Sequence, residues 1–373
     1  MMDHSVFFRF IRVFAVAAGM AFTIAVHMPA AQAAQSAALQ KLIEGAKKET
    51  TVKGLWSATS FGGSRGLSEF VAGMNKKYGL NIKAEFTPGP NMQGVMAKIA
   101  SELAAGQPAS ADVYMGNSQA IHDSIKVNAL KPIEWAAVLD RPLPTEPGFD
   151  PYAPGNIAVG ITSTVVGVLY NSDRVKGDDI PRRLEDVLKP KWKGKIASTP
   201  YAAGLREFAM PDMLGREHMV NFTKKLSKQI AGLMRCGEPD RITSGEFLML
   251  VLTCGGDDAV VLQRTGAPIA HTLLEEGTIV HTRYAGVPKN SSSPNAAALL
   301  VTYLLTPEGQ ALLWKYDGMD LHLFPYTNMK KELDKVRAAG GKVVVNSPQW
   351  LGSVKGYSAM QKELEAILRE GKK

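Results

Sequence analysis

The chain has 373 residues, of which 45% are hydrophobic and 21% charged, and a formal net charge of +8. That length allows two substantial hydrophobic cores, and the composition excludes a disordered or fibrous chain. Its positive charges are scattered (Lys47-Lys48, Lys76-Lys77, Lys330-Lys331) with no basic block interleaved with aromatics, which argues against nucleic acid as a partner and leaves a mild attraction for anionic solutes.

Arg9 and Arg12 precede an apolar run from Val13 to Val26, followed by Pro29 and Ala31-Gln32-Ala33-Ala34. A basic start, a short apolar centre and an A-x-A site form the pattern of a cleavable secretory signal, with cleavage expected after Ala33. A membrane anchor competes with this reading, but the run is short for the ~20 residues a spanning helix needs. Ala296 to Leu305, the longest later apolar run, is shorter still and fits a buried helix.

Beyond the signal, Leu39, Leu42, Ile43 and Ala46 fall at i, i+3, i+4, i+7 and predict a helix. Thr51 to Trp56 reads as a strand, running into the hydroxyl- and glycine-rich loop Ser57–Ser64. Leu67, Phe70, Val71 and Met74 mark a second helix, Asn81 to Phe86 a second strand, and Met92 to Leu103 a third helix. Asp112 to Met115 is a short strand ending at Gly116-Asn117-Ser118. Strands alternating with helices predict an α/β architecture with a largely parallel sheet. Pro142 to Gly155 carries five prolines and reads as an extended connection between lobes. Ile157 to Tyr170 is β-rich and suits a strand crossing between lobes. Ser293-Pro294 and Thr306-Pro307 each place an N-cap residue before a helix-opening proline. Ser358 to Leu368 is a final amphipathic helix.

The loop Ser57–Ser64 joins a strand end to a helix start, where free N–H groups suit anions and polar ligands. It also contains Gly62-Gly63-Ser64-Arg65-Gly66, a literal G-x-S-x-G, so a serine hydrolase using Ser64 is the alternative function. Such chemistry needs an acid and a histidine beside Ser64, and His122, His218, His271, His281 and His322 are the downstream candidates. Metal-ligand spacings are missing, and the acidic pairs Asp257-Asp258 and Glu275-Glu276 read as solvated, so no metal and no cofactor are expected. Lys189-Pro190-Lys191-Trp192-Lys193-Gly194-Lys195 reads as a solvated approach to the strand at Ile196. Cys236 and Cys254 are the two cysteines. In an exported chain an even number tends to pair, so a disulfide is expected, with two separate buried thiols as the alternative.

Leu169-Tyr170-Asn171-Ser172-Asp173-Arg174-Val175, Asp179-Ile180-Pro181 and Leu184 through Ile196 together resemble the family 1 extracellular solute-binding proteins. These are the type 2 periplasmic binding proteins of ABC importers, and the pattern is nearest the ferric iron, thiamine and phosphonate branch. Asp112-Val113-Tyr114, Gly266-Ala267-Pro268-Ile269, Glu276-Gly277-Thr278 and Ser293-Pro294-Asn295-Ala296 through Gln310 extend the resemblance, in order, over nearly the whole mature chain. The resemblance implies two α/β lobes, each with a mostly parallel sheet, joined by two crossing segments and closing around a solute by a hinge. On this reading residues 1–33 are the signal, 34–160 and 274–330 form lobe 1, 161–273 form lobe 2, and 331–373 are a C-terminal helical segment packed on the lobes.

By position, the resemblance places Ser57, Thr59, Ser60, Asn117, Ser118, Thr162 and Ser163 in the cleft from lobe 1 and the crossing strand. It places Thr199, Tyr201, Ala202, Gly204, Gly255-Gly256-Asp257 and Tyr284 opposite them, with Arg206 available to pair with an anion. The tyrosine pair of ferric-binding members does not occur here, and the first strand carries no ligand histidine. The family therefore implies a periplasmic, monomeric, non-catalytic receptor that delivers a small polar or anionic solute to a membrane permease. Service to a sensor kinase is a further alternative.

Overall fold

A computed structural model describes residues 35–371; the secretory signal expected at 1–33 lies outside them. Helices and strands alternate from the start: α1 (Ala37–Ala46), β1 (Thr51–Trp56), α2 (Gly63–Tyr78), β2 (Lys83–Pro88), α3 (Met92–Ala104), β3 (Tyr114–Asn117) and α4 (Ser118–Val127). A single turn, α5 (Trp135–Val138), precedes β4 (Val159–Val165) and β5 (Val168–Tyr170). Then come β6 (Ile196–Ser198), α6 (Leu205–Phe208), α7 (Arg216–Ser227), β7 (Gly232–Leu233), α8 (Asp240–Thr243), β8 (Met249–Val251), α9 (Asp257–Gln263), β9 (Ala270–Thr272) and β10 (Gly277–Gly286). The chain closes with α10 (Pro294–Leu304), α11 (Pro307–Asp317), α12 (Asn328–Ala338), β11 (Lys342–Asn346), α13 (Pro348–Ser353) and α14 (Tyr357–Glu370).

The fold is α/β, as the alternation predicts, and its apolar side chains gather into two large cores. The first holds Leu39, Val52, Phe70, Ile121, Trp135, Leu300 and their neighbours. The second holds Val168, Trp192, Phe208, Met219, Val251 and Leu364, with a smaller cluster around Leu169 and Leu250 beside it. The chain passes between them within β4–β5, where Val165 packs in the first core and Val166 in the second, and within β10, where Ile279 and Val280 divide in the same way. It passes a third time after β11, because Val345 packs in the first core and Leu351 in the second.

The proline-rich stretch 142–155 is not the connection that its composition suggests. Its Leu143, Phe149 and Ala153 all pack in the first core. Proline removes backbone donors, so the stretch covers that core as irregular chain while the crossing falls to hydrogen-bonded strands. The sheets are also more mixed than alternation alone implies. β1–β2, β10–β11, β6–β7 and β6–β8 run parallel, as helix-connected strands do. The crossing strands pair antiparallel: β4 and β3 with β10, and β8 and β9 with β5.

Local signals explain the helix ends. Thr306 caps α11 through Gly309 N–H at 3.2 Å, as its sequence predicts. Ser293 makes no side-chain cap, and Glu49 takes that role instead, accepting from Asn295 N at 3.1 Å and Ala296 N at 2.7 Å. A carboxylate there also answers the positive end of the helix dipole. Residues 296–304 of α10 are all buried, which matches a helix apolar on every side. No single described helix is long and apolar enough to cross a membrane.

Cys236 and Cys254 are bonded, with Cα atoms 5.9 Å apart. The bridge ties the segment after β7 to the turn between β8 and α9. A closed loop of this size is worth roughly 3 kcal/mol in the chain-entropy picture. The double variant Cys236→Ala/Cys254→Ala should lose about that much stability in guanidinium titration. Alkylation of unreduced protein from the periplasm should label no thiol, and two labelled thiols would sink the prediction.

Candidate functional site

Where β4 and β10 pass between the cores, several strand-end turns converge. From the first core come the turn after β1, the start of α4 and the end of α11. From the second come the turns after β6 and β8. Three non-glycine residues in these turns have left-handed backbones: Phe61 (φ 51°), Ala202 (φ 50°) and Leu252 (φ 52°). Such conformations cost of order 1–3 kcal/mol each, and they gather at functional sites.

The residues predicted from sequence divide into those the fold brings to this junction and those it turns away. Ser57 and Thr59 share a hydrogen bond at 3.0 Å in the turn after β1, and Ser60 lies half-buried beside them. Asn117 caps α4 through Ala120 N–H at 2.9 Å. Asn117 and Thr162 are register partners of one residue on β10, Arg283, and so flank it. Asp257 accepts from Thr164 Oγ1 at 2.8 Å, and the same hydroxyl takes Gly256 N–H at 3.1 Å. This contact leaves no room at Gly255, where a Cβ would lie 2.3 Å from Asp257 Oδ1 and 2.4 Å from Thr164 Oγ1.

The others serve the framework. Ser118 donates to the carbonyls of Thr282 and Asn346. Ser163 meets His322 at 2.6 Å. Thr199 accepts from Ala203 N at 2.8 Å, inside its own turn. Tyr201 accepts from Cys236 N at 2.9 Å and braces the disulfide. Tyr284 is fully buried in the first core. Arg206 is spent on Glu207 at 2.9 Å and Gln361 at 2.7 Å.

Residues that sequence reasoning missed carry the charge. Arg283 lies 6.0 Å from the Phe61 ring, and its Nη1 donates to Met92 Sδ at 3.5 Å. Its Nε is buried without a partner. The ladder between β10 and β4 slips between Arg283 and Tyr284, a bulge of the kind that re-aims side chains beside sites. Asp317, at the end of α11, accepts from Phe61 N at 3.0 Å through Oδ1, while Oδ2 is buried and unpartnered. Asp258 enters from α9. Burial, then the charges of Asp257 and Asp317, push its pKa up to about 7, with Arg283 opposing. Burial likewise pushes Asp317 up to about 6, against Arg283 and the Phe61 N–H. The Asp257-Asp258 pair was visible in the sequence but reads as solvated there; Arg283 and Asp317 stand alone and give no local signal.

Beneath the disulfide, Glu207 is fully buried. It accepts from Tyr357 at 2.6 Å and lies 3.6 Å from His281, whose Nδ1 is 2.8 Å from the Cys254 carbonyl. Burial raises its pKa, but Arg206, His281 and Tyr357 outweigh burial and hold it well below the usual carboxylate range. Glu207→Ala leaves Arg206 uncompensated, so a loss of about 3–5 kcal/mol in denaturant titration is expected.

A cavity of about 930 Å³ lies along the flank of α9, bounded by Val260, Arg264, Trp314, His271 and Met329. Of the cleft residues predicted from sequence only Gly256 is among those that line it, beside His271 of the candidate histidines. Ser64 is exposed in the first turn of α2. The described histidines are engaged elsewhere or buried: His122 with Pro348, His218 with Glu185, His281 with Cys254 and His322 with Ser163, while burial holds His271 neutral, its pKa lowered to about 4. Ser163 and His322 are both fully buried, which leaves that serine no route to a substrate.

The raised aspartates give a pH signature. Between the unfolded pKa near 4 and the folded value near 7, the native state holds the Asp258 proton more tightly, so this contribution to stability falls as pH rises. His271 works in the opposite direction, losing stability as pH falls. The difference between variant and wild type isolates the aspartate. Asp258→Asn should raise Tm at pH 7.5, and the gain should shrink towards pH 4.5; a gain independent of pH would refute the assignment.

The sequence profile of the bacterial extracellular solute-binding proteins matches residues 110–340. An uncharacterized protein of Haemophilus influenzae is 23% identical over 184 residues, covering 48% of this chain and 53% of its own. The chain thus spans about half the length of that curated relative. A substrate-binding protein of an ABC transporter from Agrobacterium tumefaciens superposes with a TM-score of 0.65 at 15% identity, covering 87% of this chain and 97% of that one. The spermidine/putrescine ABC transporter substrate-binding protein of Streptococcus pneumoniae gives 0.62 at 15%, covering 86% and 100%. A Trichodesmium protein in complex with iron and citrate gives 0.61 at 17%, covering 85% and 99%. These likenesses establish the fold that such receptors share, and the profile match establishes the family: the chain belongs to the bacterial extracellular solute-binding proteins.

Proposed function

We propose that the chain is the periplasmic receptor of an ABC importer, capturing a small polar solute between its two cores and presenting it to a membrane permease. One observation carries this reading. At the junction, charged groups are buried without partners, Arg283 Nε and Asp317 Oδ2 among them. Leaving such groups unpaired is costly, and a polar solute relieves that cost. The two cores correspond to two lobes. On this reading the lobes divide near Val165 and Ile279, where the chain passes between the cores, beside the boundaries expected from sequence (34–160, 161–273, 274–330), and 331–373 packs on both. The hinge is then the paired β4 and β10. The receptor works as a monomer, released after Ala33.

The hydrolase alternative lacks a histidine at Ser64, and the fold of the solved relatives favours capture. A small-metabolite extract should raise the Tm of the protein beginning at Ala34 and reduce its radius of gyration in small-angle scattering. p-Nitrophenyl acetate should turn over no faster with wild type than with Ser64→Ala. Turnover that Ser64→Ala abolishes, with no response to the extract, would replace the receptor reading by the hydrolase one.

A further inference from the structure

The charges at the junction are of both signs and do not meet. Among the described residues Arg283 forms no ion pair, although Asp258 and Asp317 both feel its field. Asp258 and Asp317 form no ion pair either. Buried charges normally close onto one another, because an unpaired charge in a low-dielectric site is expensive. Here each is held back. Arg283 is fixed on β10, with Asn117 and Thr162 beside it. Asp317 is anchored by the Phe61 N–H at 3.0 Å. Asp258 rides on α9, which belongs to the other core. The result is a junction that holds a guanidinium and two carboxylates without pairing them.

The chemistry that fits such a junction can be narrowed. A purely anionic solute would satisfy Arg283 and leave the carboxylates unpaired, and a purely cationic one would do the reverse. A metal ion needs several ligands converging at roughly 2–2.6 Å. No group of three acidic, histidine or cysteine side chains among the described residues could hold one. In the turn ahead of α2, where a ligand anion is expected from sequence, Phe61 N–H is already taken by Asp317. Trp56 and Phe61 meet edge to face at 6.0 Å nearby, and Trp56 Nε1 is buried without a partner. They supply an apolar wall and one further donor.

We propose that the solute is a zwitterion, its ammonium group between Asp317 and Asp258 and its carboxylate on Arg283. This rests on the reading that the solute sits at the junction. Because Asp317 and Asp258 belong to different cores, the ammonium bridges them where α9 already meets α11: a Cβ at Gly318 would lie 2.8 Å from the Asp257 carbonyl.

The test uses dialysed protein beginning at Ala34, in thermal-shift and calorimetric titrations. The probes are the common L-amino acids, γ-aminobutyrate and glycine betaine, with putrescine and succinate as single-sign controls. At least one zwitterion should raise Tm, and its Kd should weaken about thirty-fold or more in both Asp258→Asn and Arg283→Gln. Arg283→Lys, which keeps the charge and loses the fork, should show a smaller loss and serves if Arg283→Gln does not fold. Binding of putrescine or succinate alone overturns the proposal, as does zwitterion binding that either variant leaves unchanged. If no zwitterion acts while the metabolite extract still raises Tm, the proposal falls and the receptor reading stands. If the extract also fails, both fall.

Discussion

The ladder between β4 and β10 is the constraint on which the rest of the molecule depends. The two strands leave the first core side by side and enter the second at the same height. Val166 N donates to Ile279 O at 2.9 Å, and Thr278 Oγ1 donates to Val166 O at 2.8 Å. Any relative motion of the cores must bend this ladder, since a one-residue slip would turn every side chain to the wrong face. Thr162, Thr164 and Arg283 sit on these strands, so they keep their relation to one another.

Backbone strain follows the same plan. Of the non-glycine residues with left-handed backbones, Asn128 and Asn156 belong to a type that tolerates the region. Phe61, Ala202 and Leu252 do not, and they lie in the turns that follow β1, β6 and β8. The second-core pair is locked by packing: a Cβ at Gly204 would lie 2.7 Å from Leu252 Cβ and 2.8 Å from Val166. The turn after β6 is therefore wedged against both the turn after β8 and the crossing strand. That arrangement sustains strain that an isolated turn would release.

Much of the fold was legible in the sequence because it depends on periodicity and local capping. β1 falls at Thr51–Trp56, the bounds its residues predict, and α1, α3 and α14 follow their apolar stripes. β2 runs on to Pro88, because a parallel partner on one side asks nothing of the proline nitrogen. The site was legible only in part. Sequence points to Tyr284, the larger side chain, but it is buried in the first core, whereas its neighbour Arg283 meets the Phe61 ring across the junction. A bulge of one residue decides which of the two reaches the site, and nothing local announces it. Asp317 and Glu207 acquire their character from partners hundreds or tens of residues away, Phe61 and Tyr357 among them.

Volume and chemistry disagree about where a ligand belongs, and chemistry is the better guide here. The cavity beside α9 has a volume of about 930 Å³, but much of its charge is already satisfied. Arg264 caps α11, donating to the carbonyls of Trp314 at 2.9 Å and Lys315 at 2.7 Å, and Lys335 pairs with Glu332 at 2.7 Å. That clasp joins α9 to α11, so the cavity is a by-product of the contact that brings the two cores together. At the junction the balance is reversed: buried polar atoms lack partners. The turn ahead of α2 holds Asp317, whose Oδ1 accepts from Phe61 N–H and is fixed there while Oδ2 is buried without a partner. A turn that looks from sequence like a seat for a ligand's negative charge thus holds a negative charge of the protein's own, and it shifts the demand at the site towards a positive one.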